Sequence, residues 1–220
     1  DLHSFPTRRS SDLWQMDGDL ADLAALCRLK NVHDAVLVVD EAHGAGVFGE
    51  RGLGLCELSR TVGDIDIIVG TFGKAFASVG AYAVMNRVVR EYLVNTMRPF
   101  IFTTALPPAV LAWSLMTLRR QMDMRVERSH LLSIASTLRG SLAERGIEVR
   151  GESHIVPVMV GGNRNALRLA ARLHQAGVLG MAVRPPTVPE NHSRIRLSLR
   201  SILQWDDLEY LPELIARILS

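Results

Sequence analysis

Val36-Leu37-Val38-Val39-Asp40-Glu41-Ala42-His43, with its sequel Ile67-Ile68-Val69-Gly70-Thr71-Phe72-Gly73-Lys74, decides the fold. Each stretch opens on a short, unbroken, β-branched run, the pattern of a strand buried on both faces of a parallel sheet. Each run ends in chemistry: an acid with a histidine three residues on, and a glycine-flanked lysine. In open α/β sheets, ligands sit beyond the carboxyl ends of the strands. Asp40 and Lys74 are expected there.

Outward from this pair, strand, loop and helix alternate. A helix is predicted over 20–31, with Asp19 as its cap and Leu20, Leu23, Ala24 and Cys27 on one face. Strands are predicted over 36–39, 65–69 and 81–85, with a glycine-rich loop at 44–49 and a short helical piece over 55–59. From Asn86 the chain turns helical: 87–97, then from Pro107-Pro108 to about 122, then 125–145. The remainder reads as a smaller α/β unit with strands at 155–160, 178–183 and 194–199, helices at 164–176 and 206–219, and Asn163 as a cap. The fold class is α/β, with the domain boundary expected near 124: a domain over 14–124 and a small C-terminal one over 125–220.

Asp1–Leu13 stands apart. It is polar and carries neither a helical nor a strand period, and Phe5–Leu13 (FPTRRSSDL) resembles one reading frame of a common sequencing-library adapter. Residues 1–13 are therefore expected to be non-native, and the chain to be the C-terminal part of a longer protein.

Composition removes several function classes. At 220 residues and 48% hydrophobic, the chain has ample material for a core. A net charge of +2 without a dense Lys/Arg block gives no nucleic-acid footprint. No apolar run is long enough for a membrane span. The two cysteines, Cys27 and Cys56, form no C-x-x-C pair, and with no leader-like apolar core at the start the expectation is a cytoplasmic protein.

Asp40-Glu41-Ala42-His43 invites comparison with the acidic box of nucleotide-driven helicases, which requires an upstream phosphate loop ending G-K-[ST]. Here Gly73-Lys74 lies downstream, Ala75 follows it, and Ile68 stands where the first glycine belongs. One histidine and two acids in four residues are also too few for a metal site. An acid–histidine turn or an exposed loop lysine would account for either feature separately. Together, a lysine between Phe72 and Phe76 after a buried strand, partly desolvated and nucleophilic, beside an acid at a neighbouring strand end, is what pyridoxal phosphate chemistry requires.

Five stretches then carry a resemblance: MDGD (16–19), VDEAHGAGVFGERGLG (39–54), DIIVGTFGKAFASVGAYAV (66–84), FIFTTALPP (100–108) and RPPTVPENHSRIRLSL (184–199). They resemble the C-terminal part of the α-oxoamine synthases, pyridoxal-phosphate enzymes of fold type I that condense an amino acid with an acyl-CoA and release carbon dioxide. The resemblance implies a partial, mainly parallel large-domain sheet plus a small C-terminal domain, and a homodimer with shared active sites. It implies Lys74 as the covalent cofactor lysine, Asp40 on the pyridine nitrogen, His43 on the phenolic oxygen and Thr71 on the phosphate. Thr103 and Thr104 would reach the partner subunit's phosphate, Arg196 would hold the amino-acid carboxylate, and Thr187 would line the substrate pocket. Within the family, the RPPTVP and TALPP forms point to L-alanine and pimeloyl-CoA, as in biotin synthesis. The glycine C-acetyltransferase and serine palmitoyltransferase branches, and an inactive fragment, are the alternatives. One departure is Gln15, where the family usually carries serine.

Overall fold

The computed structural model describes residues 18–220 and the backbone of 7–11. Gln15 and the Met16-Asp17 half of the MDGD turn lie outside the described residues. The chain divides into two units, one built on 21–125 with the strand at 7–11, the other on 126–220 with residues 18–20. Residues 18–20 thus leave the body expected over 14–124. The Gly18 carbonyl accepts the backbone N–H groups of Glu152 (3.0 Å) and Ser153 (3.3 Å), which ties that stretch to the second unit.

The first unit holds a four-stranded sheet in the order β1-β2-β3-β4: β1 (Thr7–Ser11), β2 (Val36–Asp40), β3 (Ile67–Thr71) and β4 (Ala81–Met85). The first three strands are parallel and β4 is antiparallel to β3. β1 falls where the side chains show no strand period. A ladder along a sheet edge is made by backbone N–H and C=O groups, which side-chain patterning does not report. β2 and β3 are not buried on both faces as their unbroken apolar runs suggest. Leu37 and Val39, then Ile68 and Gly70, are buried, while the alternate residues are only partly covered by the described residues. Along β4, Ala81, Ala83 and Val84 are exposed.

Helix α1 (Leu23–Val32) starts later than predicted, because Asp22, not Asp19, caps it by accepting the Ala25 N–H at 2.8 Å. Its last turn is clamped to the sheet through Asp66, just before β3. One Asp66 oxygen accepts Lys30 Nζ (2.9 Å), the other accepts the Leu37 N–H (2.8 Å), and Lys30 also donates to the Asp64 carbonyl (2.7 Å). After the short α2 (Leu55–Leu58) and β4 come α3 (Arg87–Thr96), α4 (Arg98–Ile101) and α5 (Pro108–Met122).

The second unit opens with α6 (Arg125–Ala143), whose buried Leu131, Ile134, Leu138 and Leu142 recur at helical spacing. Strands β5 (Ile155–Gly161), β6 (Met181–Val183) and β7 (Ser193–Ser198) form an antiparallel sheet in the order β5-β7-β6. Helix α7 (Asn163–Gln175) packs on it through Ala166, Leu169 and Leu173. Gly162 is its cap, and the Asn163 side-chain amide oxygen accepts the Ser193 hydroxyl proton at 2.8 Å instead of capping the helix. The predicted 206–219 helix is broken. A 3-10 turn at Trp205–Asp207 comes first, and α8 (Leu211–Leu219) starts afresh with Pro212 in its first turn. No helix among the described residues is long and apolar enough to cross a membrane.

The Asp66 clamp joins three elements through one carboxylate. Asp66→Ala should lower the urea midpoint by the equivalent of about 1–2 kcal/mol. Asp66→Asn, which keeps an acceptor for Leu37, should cost less.

Candidate active site

Parallel pairing brings the two motifs together. Asp40 stands in register with Val69, the Glu41 N–H donates to the Val69 carbonyl (2.7 Å), and Thr71 ends β3 two residues further on. The Asp40 carboxylate is exposed, with one oxygen accepting the Ala42 N–H at 2.9 Å. That small turn carries the chain to His43, which is partly buried.

Glu41, between them, points the other way. It is fully buried, and its carboxylate oxygens accept the N–H groups of Leu55 (3.0 Å) and Cys56 (2.6 Å), the free donors at the start of α2. Gly54 sits at φ +106, and a Cβ there would run into the same carboxylate. The loop between them is closed by backbone bonds from Ala45 to Glu41 (2.9 Å), Gly46 to Gly52 (2.8 Å) and Gly54 to Phe48 (3.0 Å). It folds against the lysine turn: Gly46, at φ +90, lies so close to Ala75 that a Cβ on it would collide with the Ala75 methyl.

The lysine turn is equally defined. The Thr71 hydroxyl donates to the Gly80 carbonyl (3.1 Å) and accepts the Gly73 N–H (3.1 Å), so it staples the turn from within. A phosphate oxygen would have to compete with Gly80 for that proton. Ser78 N–H donates to the Phe72 carbonyl (2.8 Å) and Ala77 N–H to the Lys74 carbonyl (3.0 Å). Lys74 itself is exposed among the described residues. Phe76 turns into the core, 2% exposed, and Phe72 packs on Phe76 and Tyr82 with ring centroids 5.6 and 5.2 Å apart. Thr103 and Thr104, between α4 and α5, are also exposed.

Arg196 and Thr187 belong to the second unit. β7 is the central strand of its sheet, so Arg194 and Arg196 are not solvated edge charges: Arg194 is 2% exposed and Arg196 is partly buried. The buried Arg196 Nε has no hydrogen-bond partner among the described residues, and burial pushes the guanidinium below its ordinary pKa. A cation in that condition suits an incoming carboxylate. Thr187 is exposed in the β6–β7 loop, its N–H donating to the Arg184 carbonyl (3.0 Å).

Residues 14–215 match the model of the family described as aminotransferase class I and II. The chain belongs to that family.

Among curated members, an 8-amino-7-oxononanoate synthase from Chlorobaculum parvum is 57% identical over 202 residues, 92% of this chain and 52% of the relative. The chain spans about half the length of the curated relatives it matches. Among solved structures, Sphingomonas wittichii serine palmitoyltransferase superposes with TM-score 0.91 at 30% identity, covering 99% of this chain and 56% of that one. An 8-amino-7-oxononanoate synthase from Francisella tularensis gives 0.84 at 27%, covering 97% and 62%. The fold is therefore fold type I, as the five motifs imply.

Two features of this family member escape the motif reading. Glu41 is one; its signal was an acid placed immediately after a strand end, with a helix-opening Gly54-Leu55 downstream. The other is compositional: Lys74 is one of only two lysines in the chain, and Lys30 is committed to Asp64 and Asp66.

Glu41→Ala would leave the Leu55 and Cys56 N–H groups buried without acceptors, and should destabilise the first unit by about 2–4 kcal/mol in urea unfolding. A separate test concerns the second unit. Burial first, and then the Arg196 guanidinium, lower the His154 pKa to about 4. An unfolded histidine titrates near 6.5. Between those values the unfolded chain holds a proton that the folded one lacks, so stability rises with pH across the window and is lost on acidification. The second unit should weaken progressively from pH 6.5 to 4, and His154→Gln should flatten that slope.

Proposed function

We propose that the whole protein is a pyridoxal-phosphate acyltransferase that condenses L-alanine with pimeloyl-CoA and loses carbon dioxide to give 8-amino-7-oxononanoate, as in biotin synthesis. The observation that carries this reading is the apposition of the Asp40–His43 turn and the Lys74 turn at adjacent ends of β2 and β3, in a chain 57% identical to an 8-amino-7-oxononanoate synthase. A serine palmitoyltransferase structure solved with pyridoxal phosphate has the same fold, at TM-score 0.90 and 30% identity.

The donor set fits the cofactor. Lys74 offers an exposed primary amine for a covalent bond to its aldehyde carbon, Asp40 an exposed carboxylate for the ring nitrogen, and His43 an imidazole for the phenolic oxygen. Thr71, with Thr103 and Thr104 from a second copy, would hold the phosphate. When bound, pyridoxal phosphate supplies an electron sink for negative charge developing at the amino acid's Cα. Asp40 keeps a proton on the ring nitrogen by its negative charge. Arg196 binds the amino-acid carboxylate through its planar guanidinium, and Thr187 lines the pocket. The Lys74 amine, once free, takes the Cα proton as general base.

A homodimer follows the same reading. Phe100, Ile101 and Phe102, immediately before Thr103, are 55, 45 and 78% exposed, and contiguous apolar surface of this kind marks an interface. Two buried free cysteines, Cys27 and Cys56, suit a reducing compartment such as the cytoplasm.

In the whole protein, Lys74→Ala should abolish both turnover and the visible absorbance of covalently held cofactor. Arg196→Lys should raise the amino-acid KM by tenfold or more with a smaller effect on kcat. Assays across alanine, glycine and serine with pimeloyl-, acetyl- and palmitoyl-CoA check the substrate pair. Preference for glycine or serine would move the protein to another branch of the α-oxoamine synthases, and retained turnover in Lys74→Ala would refute the site.

A further inference from the structure

Helix α5 contacts both the lysine turn and the loop that follows His43. Two residues before the helix, Leu106 packs against Gly80, where a Cβ would lie 2.7 Å from the Leu106 side chain. In its second turn, Trp113 Nε1 donates to the Ala77 carbonyl (2.9 Å), and the Ser114 and Ser78 hydroxyls lie 2.8 Å apart. Ser114 is 5% exposed and also donates to the Val110 carbonyl (2.9 Å), so with its own proton spent there it accepts the proton of Ser78. Near the end of the helix, buried Gln121 comes beside Gly46, a Cβ on which would lie 3.7 Å from Nε2. Residues 113 and 121 are about 12 Å apart along a helix. One rigid rod therefore spans from the lysine turn to the loop that follows His43.

The segment it grips needs gripping. Ala77 is at φ +48, a left-handed conformation that a non-glycine residue adopts at a cost. Its N–H closes the turn on the Lys74 carbonyl, and the next N–H, of Ser78, closes it on Phe72. Lys74 is thus held through backbone bonds whose far end is fixed by α5. The Trp113 ring is 49% exposed, so the tryptophan is not there mainly to fill the core; the part of it that the fold uses is the N–H.

We propose that Trp113 and Ser114 of α5 are positioning residues for Lys74, setting the direction of its amine by holding Ala77 and Ser78 in the strained end of the lysine turn. The role rests on the reading of Lys74 as the cofactor lysine, but its physical content is independent of catalysis. Removing either bond should let the turn open locally while the unit stays folded.

The test uses Trp113→Phe, which keeps an aromatic ring and deletes the N–H, and Ser114→Ala, each in the full chain. Amide hydrogen exchange at Ala77 and Ser78 should accelerate about fivefold to tenfold, the loss of one hydrogen bond, with exchange in β2 and β3 unchanged. Reductive methylation of Lys74 without cofactor, measured against Lys30 as the internal reference, should change rate in the same variants. In the loaded whole protein, kcat should fall about tenfold or more with the amino-acid KM little altered, because misplacing a reacting group costs rate rather than binding. Unchanged Ala77 and Ser78 exchange in both variants would overturn the proposal, as would acceleration spread evenly over the first unit. If Lys74→Ala still held cofactor covalently, the functional reading would fall while the exchange result still decided whether α5 holds the turn.

Discussion

A carboxylate buried against the first N–H groups of the four-residue helix α2 underlies the arrangement of the site. Glu41 lies between exposed Asp40 and partly buried His43, and is itself fixed at the N–H groups of Leu55 and Cys56. Burying an ionised group is costly unless hydrogen bonds replace its water. Here two backbone donors that would otherwise be unsatisfied do so, and the helix terminus adds a favourable dipole. The exchange fixes the 44–54 loop, and the loop in turn places Gly46 against Ala75.

The lysine turn shows the same economy of polar groups. Thr71, Ala77 and Ser78 spend their donors inside the turn or on α5, and Phe72 and Phe76 pack toward the strands. The strands supply only the starting point of this turn, at Thr71; its path beyond is decided by hydrogen bonds to Gly80, Phe72 and the residues of α5. A lysine on a loop is held precisely only when its supporting groups are locked in this way.

The second unit obeys a different constraint. Its antiparallel sheet puts β7 in the centre, flanked by β5 and β6, so the arginines of Ser193-Arg194-Ile195-Arg196 are carried into partly or fully buried positions that their charge alone would disfavour. Arg196 retains a buried Nε without a partner among the described residues, and nearby His154 stays neutral at ordinary pH. Burial of a guanidinium beside a neutral imidazole leaves a positive site whose natural complement is an anion. For this sheet, stability and binding capacity draw on the same strand.

By itself the sequence determined the α/β class, the strand cores at 36–39 and 67–69, the long helical stretch beyond Asn86, and the family, because hydrophobic period and short chemical motifs are local properties of the chain. It also placed Asp40 and Lys74 at strand ends, since the ligand side of a parallel sheet follows from strand direction alone. Only the tertiary structure decided the rest. Pairing at β1 depends on backbone edges and not on side-chain pattern. The cap of α1 is Asp22, and the Gly18 carbonyl is taken by the N–H groups of Glu152 and Ser153, more than a hundred positions away. Phe76 is buried and Phe72 packs on Phe76 and Tyr82, while Lys74 between them is exposed. Glu41 and Trp113 gain their roles from donors and acceptors 14 and 36 residues distant. Which of several adjacent polar residues faces inward is settled by the nearest unsatisfied hydrogen-bonding group in space, and that neighbour is not written in the local sequence.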